Sequence, residues 1–373
     1  MSTIKCHYNS EEHSYLLDFI SQKKSTSFSS KFIIKTPEEF DYIPVKSYEG
    51  FIFAVIFKAM ECGEDLIIDL PLSPKGIHNI NYLIEAWHNY FPKKYKRIKL
   101  IANNIDQSIK PKNNEAISAF SGGVDACFTL LRHNQDDWEH HSSFQLKNVL
   151  CVQGFDVPSD KNKEYQELLK RISPIFKQFN CQKLEVWTDL KEVSNQDWEM
   201  SHACQLACCF HLFSEHFDYA LIGSGDSYKD LVTPWGSTPC TDFLLSSSTM
   251  ETIHDGAGYT RTEKVKRISN QQIIRERLKV CWEKGLEDNC GECEKCYRTR
   301  FNFLAAGYAD PKCFDTTLDL KKLHKFDYRA KSKLIELESI LDFVQENNIK
   351  EPWVKLLKQV IWKNKIKAIF KKS

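Results

Sequence analysis

Apolar and polar positions alternate at two different periods along this chain. From residue 116 onward the alternation is regular. A short apolar run, Ile117–Phe120, breaks at Ser121-Gly122-Gly123 and resumes with helical spacing over Val124–Arg132. The pattern then predicts strands at Asn148–Gln153, Lys183–Thr188 and Tyr219–Ile222. Helices are predicted over Asp160–Phe179, Asp197–His216 and Arg261–Leu278, with Asn134–Ser143 as a polar loop. Strands that alternate with helices predict an α/β fold with a parallel sheet covered on both faces. Ligands of such sheets sit at the carboxyl ends of the strands, where Ser121, Gly154 and Gly223 all fall.

Residues 1–110 are patterned more weakly. Ser14–Phe19, Lys31–Lys35, Asp65–Leu70 and Arg97–Ala102 read as strands, and Gly50–Glu61 and Ile77–Tyr90 as helices. This suggests a separate N-terminal α/β or α+β region, joined through a polar linker at Asn103–Asn114. The expected units are then 1–110, a parallel-sheet core at 115–280, a cysteine segment at 281–307 and a helical tail at 308–373. Residues 224–260 read as an irregular insertion within the core. It is rich in Ser, Thr, Gly and Pro, and its aromatics Tyr228, Trp235 and Phe243 argue against disorder; so long a loop reads as a substrate-binding insertion, with mere decoration as the alternative.

Composition narrows the class. The 373 residues are 42% apolar and 27% charged, with 51 basic against 50 acidic residues, so the net charge of +1 makes no global case for a nucleic-acid or membrane partner. The longest apolar run, Phe51–Phe57, is far shorter than the roughly 20 residues of a membrane span. The first residues show no apolar signal core, so the fourteen cysteines are expected reduced, in the cytoplasm. Charge is uneven only at the end. Beyond Glu351 there are seven lysines and no acid, with Trp353, Leu357, Val360, Ile361, Ile366, Ile369 and Phe370 as an apolar stripe. Such a basic amphipathic helix either docks on the body or meets nucleic acid, protein or a membrane surface.

Two motifs carry the chemistry. The strand–glycine–helix junction points backbone N–H groups and a helix dipole at one spot, where a phosphate is the expected occupant. No Gly-Lys-[Ser/Thr] follows, and the third glycine of the dinucleotide fingerprint is missing. Downstream, Cys281, Cys290, Cys293 and Cys296 have the C-x₈-C-x₂-C-x₂-C spacing of a closed four-thiolate zinc site. Gly291 allows a sharp turn, and Lys284, Lys295, Arg298 and Arg300 are near enough in sequence to offset the charge. A redox thiol pair and an iron–sulfur cluster are the alternatives. The stretch His202–His211, with Cys204, Cys208 and Cys209, is also dense in metal-ligand types. It reads better as a buried helix, since cysteine is a favoured core residue.

Ser121-Gly122-Gly123-Val124-Asp125 resembles the PP-loop of the ATP pyrophosphatase superfamily, Ser-Gly-Gly-x-Asp-Ser, with Ala126 in place of the last serine. Together with the cysteine spacing, Arg298, and Thr262-Glu263-Lys264 ahead of the cysteines, the stretch from Ala116 to Gly307 resembles the 7-cyano-7-deazaguanine synthase branch. The resemblance implies an adenine nucleotide alpha-hydrolase-like fold. It also implies ATP-dependent adenylation of a substrate carboxylate or amide, release of pyrophosphate, and attack by a nitrogen nucleophile such as ammonia or an amine. The residues outside the matching stretch suggest a substrate other than the deazaguanine precursor.

On that reading Ser121, Gly122, Gly123, Val124, Asp125, Gly154, Gly223 and Ser224 bind ATP, and Asp125 positions Mg²⁺. Arg261, Lys264 and Arg298 are candidate cations against the leaving group. His254 orients substrate or moves a proton, and Asp226 reaches substrate. Sulfur transfer to a nucleobase, and a non-catalytic nucleotide- or nucleic-acid-binding module, remain as alternatives.

Overall fold

The computed structural model describes residues 1–108, 110–134, 143–281 and 288–370. Its first strands, β1 (Ser2–Asn9), β2 (Ser14–Ile20) and β3 (Phe28–Lys35), form an antiparallel meander. Helix α1 (Glu49–Cys62) then leads to β4 (Leu66–Ile68), and α2 (Pro74–Tyr90) leads to β5 (Leu100–Ala102). Both strands run parallel to β1, as crossovers of this length permit. Helix α1 is apolar on all sides, Phe51 to Phe57 being buried throughout. It is therefore a core helix rather than a surface one. Gly63, at φ +66°, ends it in the left-handed conformation that glycine adopts without strain.

The second half repeats one unit: β6 (Glu115–Ala119), α3 (Val124–Asn134), β7 (Gln145–Gln153), α4 (Asn162–Gln178) and β8 (Gln182–Thr188). The short α5 (Leu190–Ser194) and α6 (Trp198–His211) carry the chain to β9 (Tyr219–Gly223), and β10 (Glu251–Asp255) follows. These five strands are parallel and lie in the order β10-β9-β6-β7-β8. The winding direction reverses between β6 and β9, which opens a crevice at their carboxyl ends. β10 falls within the stretch expected to be irregular. Its pairing with β9 adds a sheet edge there, and the irregular part closes at residue 250.

The two halves share a single ten-stranded sheet, because β3 pairs antiparallel with β8, Ile34 opposite Val186. Asp189 fastens this seam by accepting from Ser30 Oγ and the Lys31 amide. Strand side chains alternate between two cores. Ile117, Leu150 and Ile222 join α1 and α6 on one face; Ala116, Val149 and Leu221 join α3 and α4 on the other.

The helix expected over Arg261–Leu278 is two helices, α7 (Arg261–Ile268) and α8 (Gln272–Arg277). Ser269 Oγ bonds back to the Val265 carbonyl, and Arg275 takes the Ser269 carbonyl, so the chain bends there. α7 begins with a capping box between Thr260 and Glu263. Next come α9 (Glu294–Ala305), a 3-10 turn at Leu320–Lys325, α10 (Lys331–Glu346) and α11 (Pro352–Phe370). The tail is thus interrupted rather than continuously helical. Trp353, Leu357, Val360 and Ile361 pack with α9 and α10 in a third core, while Lys355, Lys358, Lys363 and Lys367 face outward. No helix among the described residues is long and apolar enough to cross a membrane.

Candidate functional site

A cavity of about 350 Å³ opens at the β6/β9 switch point. Its floor is the loop after β6. Gly122 sits at φ +76°, and a Cβ there would come within 2.5 Å of Ile172, so the turn depends on glycine. Among the described residues, the backbone amides from Ser121 to Ala126 have no protein acceptor: Phe120 N–H is taken by Leu150, and Cys127 N–H begins the helical ladder. A row of free N–H groups at a helix N-terminus is an anion cradle. β9 comes close to this loop, since a Cβ on Gly223 would lie 3.0 Å from the Asp125 backbone.

Of the expected site residues, Ser121, Gly123, Val124, Asp125, Gly223, Arg261 and Asp226 line the cavity. Gly122 shapes the loop from beneath. Asp125, expected to position Mg²⁺, faces two cations: Arg261 donates to Oδ2 at 2.9 Å, and Lys264 Nζ lies 3.5 Å from Oδ1. Arg261 also faces Glu336 of α10 at 3.9 Å. Burial works against the Arg261 charge, but Asp125 and Glu336 outweigh it and hold the guanidinium firmly protonated. Asp226 is pushed upward by burial and by Glu336.

The other expected residues lie off the cavity surface. Lys264 is fully buried and donates to the Ser224 carbonyl and hydroxyl at 2.6 and 2.7 Å, so it pins the turn after β9. Arg298 is spent on Glu294 and Glu336. Gly154, at φ +111°, lets the end of β7 pass the Thr188 carbonyl, where a Cβ would sit 1.7 Å away. His254 bonds through Nδ1 to Asp242 at 2.8 Å. Its neighbour Asp255 accepts from Thr129, Arg132 and His133, tying β10 to α3. Of the three aromatics singled out in residues 224–260, Trp235 reaches the cavity; Tyr228 and Phe243 face solvent.

The four cysteines do converge. Their sulfurs all lie within 4.8 Å of one another, with Cys281–Cys293 and Cys290–Cys296 each at 3.8 Å. A disulfide would need about 2.05 Å. The edge of a sulfur tetrahedron around an ion at about 2.3 Å is roughly 3.8 Å. The group therefore fits a metal such as zinc. Backbone amides of Glu292 and Cys293 point at the Cys290 sulfur, and that of Cys296 at the Cys293 sulfur, the support that thiolate ligands need. Arg300, expected to balance thiolate charge, instead braces the turn by donating to the Gly291 carbonyl and to Thr316. Lys284 lies outside the described residues.

The sequence reading missed what this knuckle delivers. Lys279 and Lys295 both line the cavity, as does Cys281. The Lys279 amide bonds the Gly122 carbonyl at 2.9 Å, which seats the cysteine segment directly under the anion loop. Asn289 locks that segment, accepting from Val280 and Cys281 N–H while donating to the Leu278 and Cys313 carbonyls. Burial and the nearby Arg261 push Lys295 down to about 8. Also missed was His202, placed in the core by the sequence pattern but found lining the cavity with Trp198 and Trp235. One signal was available: His202 stands four residues after Trp198, so both share one face of α6.

No protein-family model matches the chain, and no curated protein matches it. The site is thus defined by its own geometry, a free-amide loop at a sheet switch point with a four-cysteine knuckle beneath it.

Proposed function

We propose that the cavity binds ATP and that the protein adenylates a carboxylate or amide of a second substrate, releasing pyrophosphate, for attack by a nitrogen nucleophile. The observation that carries this reading is the run of free amides from Ser121 to Ala126, with Arg261 and Lys295 on the same cavity; the Lys279 ammonium, also in the lining, is held by the Cys281 and Asp288 carbonyls. Amides preset at the pyrophosphate stabilise the charge that builds there as the α-phosphate is attacked. Arg261, aimed by Asp125 and Glu336, neutralises the same leaving group. Lys264 acts behind it, holding both Asp125 and Ser224 in place.

Asp125 gives Oδ2 to Arg261, while Oδ1, 3.5 Å from Lys264 Nζ, accepts no hydrogen bond and is the oxygen that could meet magnesium. The cysteines would hold zinc as a closed four-sulfur site. That supplies rigidity to the segment carrying Lys279 and Lys295, and leaves no position for a reacting group.

The test is product analysis of labelled ATP incubated with the protein and a pool of small carboxylates. AMP and pyrophosphate are expected, and Arg261→Gln should lower their release by about 10²–10³, the usual cost of one preset donor. Cleavage to ADP and phosphate, or the absence of ATP binding, overturns the proposal. The alternative of a non-catalytic nucleotide-binding module is favoured by Ala126, which lines the cavity without a hydroxyl. It predicts ATP binding with no AMP.

A further inference from the structure

The cavity has two chemically different ends. At the loop it presents free amides and the cations Arg261 and Lys295. An apolar slot between β7 and α4, with Val152, Tyr165 and Leu168, adjoins it and suits a nucleobase. At the other end stand Trp198, His202, Trp235 and Ser237. Of these, His202 and Ser237 present acceptors, while the indole N–H groups of Trp198 and Trp235 are donors only. His202 Nδ1 lies 3.0 Å from the Glu199 carbonyl and 3.3 Å from the Trp198 carbonyl. A carbonyl only accepts, so Nδ1 carries the proton and Nε2 carries a lone pair. Nε2 has no hydrogen-bond partner among the described residues and is not among the sealed polar atoms, so it opens on the cavity. The Ser237 hydroxyl is committed to Asp242 at 2.6 Å, and its lone pairs are what a ligand meets.

Ring faces flank these acceptors. The His202 ring centre is 6.0 Å from that of Trp198 and 5.9 Å from that of Trp235, and Phe155 is 5.1 Å from Trp198. Indole faces attract ammonium groups, and their area covers carbon. Free ammonia would need no such walls.

We infer that this end is a subsite for a primary amine carried on an apolar or aromatic body, with Nε2 of His202 as its base. The base role rests on the adenylation reading. The lone pair of the amine forms the C–N bond as the C–O bond to the adenylyl phosphate breaks. AMP leaves with that electron pair, and a proton of the amine passes to Nε2. Burial keeps His202 below the ordinary imidazole range, against the pull of Asp242 and Asp156, so the base is neutral at pH 7. Lys191 Nζ stands 4.2 Å over the Trp198 ring, so that indole already has a cation partner and offers a ligand its carbon area.

The subsite is tested without ATP by calorimetric titration of the full chain with phenethylamine, phenylacetate and adenosine. Phenethylamine should bind at least about tenfold more tightly than phenylacetate, and adenosine should not displace it. Binding should weaken as the pH falls and His202 gains its proton. His202→Asn keeps a donor to the two carbonyls but removes the Nε2 lone pair. It should lose about tenfold in affinity and flatten the acid limb, with its melting temperature within a few degrees of wild type. Trp235→Ala, at a position 37% exposed and therefore safe for folding, should weaken binding by several-fold. Equal binding of phenylacetate, displacement by adenosine, or unchanged binding and pH profile in His202→Asn overturns the inference. These titrations need no nucleotide. A failure of AMP formation would therefore remove the base role and the adenylation reading while the amine-binding result stands or falls separately.

Discussion

Helix α6 carries Cys204, Cys208 and Cys209 between His202 and His211, while the knuckle carries Cys281, Cys290, Cys293 and Cys296. In composition the two stretches look alike. In the fold, the α6 thiols and His211 point into the core shared with α1, so closely that a Cβ on Gly50 would lie 2.7 Å from His211. His211 satisfies its buried Nε2 on the Leu245 carbonyl, and burial pushes its pKa down to about 4. The knuckle thiols face one another, with amides aimed at their sulfurs. A regular helix places ligands at i and i+4 on one face only, whereas a chain that reverses at Gly291 (φ +68°) can wrap four sulfurs around a point. Backbone shape separates a core cysteine from a ligand more sharply than cysteine density does.

The largest way to break this comparison is to remove one knuckle sulfur. Structural zinc contributes about 10–16 kcal/mol to the folding of small zinc domains. Cys296→Ser should therefore abolish stoichiometric metal and cost at least about 3 kcal/mol by denaturant unfolding. Because Lys279 and the Gly122 turn are joined, nucleotide binding should fall with it. A variant that keeps full stability with no metal would show that the sulfurs meet by packing alone.

A smaller effect is expected at Cys208, fully buried among apolar side chains. Cys208→Ser places a hydroxyl where the thiol packed, at a cost of about 1–3 kcal/mol. Metal content, measured by elemental analysis, should stay the same. Loss of metal in this variant would mean that α6 and the knuckle are coupled, and the contrast between them would fail.

Much of this was legible in the residues. The β6–α3 junction follows from an apolar run, two glycines and a helical period. The cysteine spacing alone picks out the four sulfurs that converge. Other features depend on distant partners. Lys279 and Lys295 became cavity residues only because Asn289 and the cysteine turn aim their segment at Gly122. Lys264 resembled a catalytic cation, yet its amine is consumed by Ser224. The bend at Ser269 depends on a side chain competing for backbone, which a periodic pattern does not register. β10 was hidden because its five residues, Glu251–Asp255, carry polar groups at most positions and are held by parallel pairing to β9.

The last prediction sharpens the contrast through alkaline pH. Burial raises the pKa of Cys204, Cys208 and Cys209 in the fold well above the ordinary thiol value. In the unfolded chain these thiols ionise near 8.5. A group whose folded pKa is raised contributes stability fully below the unfolded value and loses it as pH climbs toward the folded one. Above about pH 8.5 the native state therefore binds more protons than the unfolded state, and stability should decline. Between pH 8 and pH 9 the loss is about 0.7 kcal/mol per buried thiol, from the 1.4 kcal/mol per pH unit that one proton carries. Cys208→Ala removes one titrating group and should make the decline of denaturant-measured stability over this range visibly shallower, whatever its cost at pH 7. An equally steep decline in Cys208→Ala would place the alkaline sensitivity elsewhere and leave the α6 thiols as inert packing.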